Sequence, residues 1–507
     1  MLIDDIIAMI DEGGPKSYYS FETFILNLFK VHIEEQGKEF SIVDSKRDLG
    51  DAIAPDGFDE FESSTLIEVR FNLDRMPAKY FIEKLLVRTT RIENYVDIQN
   101  ILIVAAKPVS LRFKEKFENG IKLVNFPIKV TIWGPEELNK IVSKHRKKSK
   151  EIANNLFALR LESAVTKPKT DWKEERDKRV IELNKLYLKG QFSLFLGAGV
   201  SSSAGMPDWN TLLNSLFVTY LTEEFDDDGN INDKDISEIV DRLNDIDEPS
   251  ALMAARYLRK GLSNGKTEIK KFTDAIAKNL YKLRNSKHPV DSKLIKTIAS
   301  LCVPKRTGAK VRSVITYNFD DLLERQLIQK SIEFHSIYTD NETYTIDEIP
   351  IYHVHGFLPE DKTQYDSLDR STLVFSEEGY HEIYSNAYHW SNLVQLNNLR
   401  ENNCLMIGLS MTDPNLRRLL DISGTNMEKA KHFAFMKRMT LDDFVYEKNR
   451  KSKTKDQVIS NLKGAEIFLD RHHTLNEEIM KELGVSIIWY EDYNEIPDIL
   501  LETMNNK

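Results

Sequence analysis

Two cysteines in 507 residues leave little room for disulfide or thiolate chemistry. Cys302 and Cys404 lie far apart in apolar stretches (ASLCVP and NNCLMIG), which predicts buried free thiols in a reducing cytosol rather than a bridge. A zinc module built on four cysteines is excluded by count alone. No apolar run approaches the roughly 20 residues of a membrane helix. The opening MLIDDIIAMIDEGG carries Asp4 and Asp5 where a secretory leader would be basic. A positive excess is missing as well: the net charge of -10 argues against a general nucleic-acid or membrane coat and confines any such role to a local patch. The expected setting is cytoplasmic, with no membrane partner.

What is present is a soluble globular composition, 41% hydrophobic and 30% charged, in a chain long enough for two or three domains. Residues 1–143 read as a compact α/β domain, with a helix around Ser20 to Glu35 and strands at Leu66 to Phe71, Asn100 to Ala105 and Lys129 to Trp133. Residues 144–188 open with the basic run Lys144 to Lys150, are interrupted by Pro168, and are expected to form a mostly helical linker. From 189 to 507 the pattern changes to short, wholly apolar runs: FSLFLGAG, VRSVITYNF, IYHVHGFL, CLMIGLS, HFAFMK and VSIIWYED. Such runs suit a parallel sheet covered on both faces, which predicts a doubly wound α/β domain. Residues of about 210–300 read as a helical module inserted after its first strand.

FLGAGVSSSAGMPDW, Phe195 to Trp209, places small residues where a strand gives way to a helix. Gly197 and Gly199 lack Cβ atoms there, so a ligand's phosphates could approach the backbone. The pattern is not the dinucleotide G-x-G-x-x-G, because the third glycine is displaced to Gly205 and no acidic residue follows at the usual distance. Three further strand ends carry polar groups: Thr316, Asn318 and Asp320 in TYNFDDLLE, His355 before Gly356 in HVHGF, and Ser410 and Asp413 after Gly408 in GLSMTDPNL. In a doubly wound sheet such ends line one crevice, so the four segments are expected to converge on one ligand. His353 is expected to be a satisfied core histidine, and Met406 and Met411 to pack. For Trp209, packing and a lid stand equally.

GAGVSSSAGMPDW, TYNFD, HG and GLS with a following Asp, in that order, resemble the NAD-binding core of the sirtuin superfamily over roughly Lys189 to Tyr493. The resemblance implies that Gly197, Ala198, Gly199 and Ser201 hold the NAD phosphates, that Asn318 contacts the nicotinamide ribose, and that His355 acts as a base there. It also implies that Ser410 touches phosphate or adenosine ribose and that Asp413 fixes that loop. Thr316, Asp320 and Gly408 fall within the same motifs. The family's PDFR-like ending is changed to Pro207, Asp208 and Trp209, and the zinc cysteines of protein-deacylating sirtuins are missing. These departures are similar to sirtuin-like NAD hydrolases of bacterial antiphage defence, which implies NAD as substrate, nicotinamide release and abortive infection. Two rivals stand beside this reading. One is an NAD-dependent deacylase or ADP-ribosyl transferase; the other is a module sensing NAD or ADP-ribose, attached to an active nuclease.

In the first domain, GFDEFESSTLIEVRF sets Asp59 ahead of a strand on which Glu68 and Arg70 share a face. The arrangement resembles Mrr-like restriction endonucleases, with Glu22 as a possible fourth member, and implies Mg²⁺ only if the domain is an active nuclease. Arg70 stands where that family has lysine, and arginine is a poor proton carrier. A degenerate domain that binds DNA or a companion defence protein is therefore expected. A homo-oligomer is expected too. Glu224 to Asp235, EFDDDGNINDKD, imitates a calcium loop at Asp226, Asp228 and Gly229, but Glu224 and Asp235 depart from the pattern. It is expected to be a solvated acidic loop.

Overall fold

The computed structural model describes residues 2–11, 13–43, 50–92, 98–166, 171–208, 211–216, 266–340, 342–371, 388–425, 429–448 and 455–505, with isolated residues between. Glu224 to Asp235 and Trp209 lie outside the described residues. The chain forms two compact units. One comprises Met1–Pro168, Gly424–Ala430 and Ile467–Gly484; the other comprises Lys169–Ser423, Lys431–Glu466 and Val485–Lys507.

The first unit is built on a five-stranded mixed sheet in the order β1 (Ser41–Ile42), β2 (Ala52–Ala54), β3 (Thr65–Arg70), β4 (Asn100–Ala105), β5 (Lys129–Trp133). β3, β4 and β5 run parallel, whereas β1 and β2 are antiparallel additions. Sequence periodicity does not reveal β1 and β2, because two or three residues are too short to show a period. The helix Gly14–Glu34 buries Tyr18, Phe21, Phe24, Leu28 and Phe29 against the sheet. Every residue of β3 is buried, so Glu68 and Arg70 are interior charges.

The segment expected as a linker is helical where described, and its parts pack into cores. Helix Arg146–Asn154 sends Ile152 and Ala153 into the first unit's core, while its Arg146, Lys147, Lys148 and Lys150 are exposed. Helix Trp172–Lys189 buries Val180, Leu183 and Tyr187 in the second unit. Asp171 caps its start by accepting from the Lys173 amide, and Gly190 ends it at φ 75°, a left-handed turn that suits glycine.

The second unit carries a seven-stranded, wholly parallel sheet in the order β14 (Val485–Tyr490), β11 (His432–Lys437), β10 (Asn403–Ile407), β6 (Phe192–Leu196), β7 (Val311–Thr316), β9 (Ile349–His353), β8 (Phe334–Ile337), and β12 (Tyr446–Lys448) pairs antiparallel with β13 (Lys455–Gln457) apart from it. This is the α/β, Rossmann-like architecture with a smaller α/β region before it. The apolar runs of the sequence become β6, β7, β9, β10, β11 and β14. β8 escapes that reading because FHSI is a short, half-polar strand at the sheet edge. Between β6 and β7 the described residues include the helices Lys266–Lys282 and Lys293–Leu301. From β6 the chain adds strands on one side through β7, then crosses to β10 on the other. The order therefore reverses between β6 and β10, and a crevice opens at the carboxyl ends of such strands. Both cysteines are free and buried; burial pushes the Cys302 thiol up to about 12.

Candidate active site

Strand ends at that reversal are tied to one another by backbone. Gly197 donates to the Ile407 carbonyl at 2.9 Å, and Gly199 donates to the Gly408 carbonyl at 3.0 Å. Gly408 adopts φ 70°, a region that favours glycine. A Cβ at Gly197 would stand 2.5 Å from the Gly408 oxygen, and one at Gly199 would meet the Tyr493 hydroxyl at 2.7 Å and the Gly408 Cα at 2.8 Å. Close packing also requires these glycines: the Gly408 carbonyl and the Leu409 side chain at Gly197, and the Gly408 backbone and the Tyr493 hydroxyl at Gly199, leave no room for a Cβ. Ala198 is exposed beside them.

Asn318 follows the last residue of β7, Thr316, whose hydroxyl accepts from the Asn318 amide at 3.1 Å. Its side-chain Nδ2 donates to the Gly197 carbonyl at 3.0 Å, joining the first and second motifs directly. Because a carbonyl only accepts, this bond fixes the amide orientation and leaves Oδ1 as the acceptor atom. A second tie is Ser201, whose hydroxyl donates to Asp320 at 2.6 Å; the Leu322 amide donates to the other carboxylate oxygen at 3.2 Å. Burial lifts the Asp320 carboxyl to about 6, against the lowering effect of the Ser201 bond. Asp320 braces the two loops from inside.

His355 is buried, and its ring lies edge-on to Tyr317 at 4.7 Å between centroids. Burial pushes its imidazole below the ordinary histidine value, while the Asp413 carboxylate pulls in the opposite direction. Asp413 Oδ1 accepts from the Leu416 amide at 2.7 Å, capping helix Pro414–Gly424. Ser410 is exposed, its hydroxyl 2.6 Å from that of Thr412. Pro207 is half-buried, and Asp208 caps the next helical stretch by accepting from the Thr211 amide at 2.8 Å. Met406 and Met411 are buried, the latter at φ 60°.

Sequence reading passed over Tyr493 and Glu324. The Tyr493 hydroxyl, buried beside Gly199, has no hydrogen-bond partner among the described residues. Glu324 is 1% exposed and meets His353 Nε2 at 2.7 Å. An acid between leucines on the buried face of DDLLERQL was the available signal for it.

In the first unit, the structure does not join Asp59 to Glu68. Asp59, at φ 47°, bonds His32 at 2.8 Å and Gln36 at 3.0 Å instead. The carboxyl beside Glu68 is that of Asp51, which accepts from the Val69 amide at 2.7 Å; burial, then Glu68 and Glu22, push it up to about 8. Lys429 approaches Asp51 at 4.0 Å. The Arg70 guanidinium contacts Glu68 Oε1 directly. Among the described residues no group of three His, Cys, Asp or Glu side chains is arranged to hold a metal ion. With Arg70 on the Glu68 oxygen, these residues do not fit a divalent cation, and no step is derived through one.

Residues 312–459 match the SIR2-like domain family. A relative in Enterococcus faecium, the NAD(+) hydrolase ThsA, is 23% identical over 333 residues, which are 64% of this chain and 58% of that protein. The chain thus matches a little over half of that relative's length.

Proposed function

We propose that the second unit hydrolyses the bond between nicotinamide and ribose in NAD, giving nicotinamide and ADP-ribose, as an effector of antiphage defence by abortive infection. The observation that carries this reading is Asn318 bonded to Gly197 where the strand order reverses, in a domain that also buries His355 with its imidazole biased toward the neutral form. The name of the Enterococcus faecium relative, an NAD(+) hydrolase, supports the same chemistry.

In the proposed reaction, a water oxygen bonds to ribose C1′ as the C1′–N bond breaks. The bond's electron pair passes to the pyridinium nitrogen, which leaves as neutral nicotinamide. The leaving group needs no acid, since its nitrogen begins positively charged. The water's proton goes to neutral His355, a base suited to neutral pH. Asn318 Oδ1 accepts from a ribose hydroxyl or from the attacking water, holding the reactants in line. Gly197, Ala198 and Gly199 form the turn facing the phosphates, with Ser201 holding that turn from beneath through Asp320 and Ser410 at the rim.

Residues 1–143 serve in this reading as a recognition domain that binds DNA or a companion protein, with the exposed basic run Lys144 to Lys150 supplying phosphate contacts. Incubating the full chain with NAD and following nicotinamide and ADP-ribose is the direct test. Nicotinamide is expected without any acylated peptide. Release only in strict proportion to peptide deacylation would replace hydrolysis by deacylation.

A further inference from the structure

The buried pair formed by His353 and Glu324 performs no step of the reaction above, yet it ends on the residue that does. We infer that Glu324 and His353 are positioning residues that hold the Asn318 backbone for its work at the ribose, an inference that rests on the NAD-hydrolysis reading.

Three elements meet at this pair. His353 is the last residue of β9, with 0% of its side chain exposed; Glu324 lies on helix Leu322–Gln329, 1% exposed; and Ser336 of β8 donates its hydroxyl to Glu324 Oε1 at 3.2 Å. The Phe357 ring covers the imidazole at 4.0 Å between centroids. His353 Nδ1 lies 3.2 Å from the Asn318 carbonyl oxygen, and Nε2 lies 2.7 Å from Glu324 Oε1. A backbone carbonyl only accepts, so Nδ1 carries the hydrogen. One proton is then left between Nε2 and Oε1. Whichever atom holds it, Nδ1–H stays on the carbonyl, so the carboxyl group fixes the tautomer and the ring orientation.

Asn318 is consequently held at three points: its amide on Thr316, its carbonyl under His353, and its Nδ2 on Gly197. Removing the carbonyl contact frees the peptide to turn and carries Oδ1 away from the ribose. Misplacement of a reacting contact by about 1 Å costs on the order of 100-fold.

Steady-state nicotinamide release by the full chain tests this. His353→Phe keeps the ring volume and is expected to lower kcat by roughly tenfold or more, with KM for NAD changed less than about threefold. Glu324→Gln can still donate to Nε2 and is expected to stay within about threefold of wild type, whereas Glu324→Leu falls with His353→Phe. On an Asn318→Ala background, His353→Phe adds no further loss, because it acts through Asn318. A packing role alone predicts that Phe and Leu are tolerated, or that the losses add; either result overturns the inference. If His353→Phe does not fold, the Glu324 pair gives the same decision from a different element. A wild type that neither turns over NAD nor gains thermal stability from it overturns the hydrolysis reading and this inference together. Equal activity of wild type and His353→Phe overturns the inference alone.

Discussion

Two histidines stand two residues apart in IYHVHG, and their surroundings give them different work. His353 faces a carbonyl and a carboxyl group inside the protein, both ring nitrogens engaged. His355 is buried and carries an electrostatic link to Asp413, a carboxylate that also caps a helix. An imidazole held below its ordinary 6.5 remains neutral, and so able to take a proton, into mildly acidic solution. The acid limb of kcat/KM for nicotinamide release is therefore expected below pH 6.5, the ordinary histidine value. Asp413→Asn should move that limb lower still, because it removes the charge that favours the imidazolium, while asparagine keeps the helix cap. A limb that rises or stays fixed in this variant would remove His355 from the role of base. His355→Ala is expected to lose roughly 10²- to 10⁴-fold in rate. At this scale the placement of Asn318 and His355 just past strand ends was legible in the sequence, because each follows an apolar run; their part in the reaction is what the variants above test. For Glu324 the one signal, an acid among leucines, is weak, since an acid in an amphipathic helix looks solvated until tertiary packing covers it.

Elements set how close the motifs come. The β6 and β10 turns pack closely, Gly197 against the Gly408 carbonyl and the Leu409 side chain, and Gly199 is constrained by Gly408 and Tyr493 rather than by its own φ. Gly199→Ala is expected to destabilise the chain by about 1–3 kcal/mol, the usual cost of overpacking. Adding Tyr493→Phe should recover part of this, since the nearest obstacle at 2.7 Å is the hydroxyl while the Gly408 Cα at 2.8 Å remains. Urea midpoints of the single and double variants check it; an undisturbed Gly199→Ala would mean that the β10 turn does not constrain the glycine. Sequence runs revealed six of the sheet's strands because continuous apolar stretches suit strands covered on both faces. The missed edge strand β8 and the fragments β1 and β2 are too short or too polar to carry a period. Tyr493 follows the final strand with no motif to mark it. Asp51 was missed for Asp59 because sequence distance to β3 cannot say which carboxylate folds beside Glu68.

At the scale of the whole molecule, the first unit draws on the chain three times, and its carboxyl cluster is completed by Lys429 from the short return Gly424–Ala430. A fragment ending at residue 143 would lack that lysine, so the full chain is the object to test. Within the cluster Glu68 is bound by Arg70, and burial together with the Glu68 and Glu22 charges raises the Asp51 carboxyl above the ordinary carboxylate range. Free carboxylate oxygens are what a divalent ion needs, and here the Glu68 oxygen is occupied by a guanidinium. Arginine, in addition, is an unsuitable proton carrier. The expected outcome is that full-length protein incubated with duplex DNA and Mg²⁺ or Mn²⁺ leaves the DNA intact. Binding is expected all the same, weakening as salt rises and losing slope when Lys147 and Lys150 are replaced by Gln. Metal-dependent cleavage that disappears in Glu68→Ala would mean that the first unit is a second enzyme; DNA binding indifferent to salt would remove the basic run from recognition, and no DNA binding at all would leave a protein partner as the occupant of this unit.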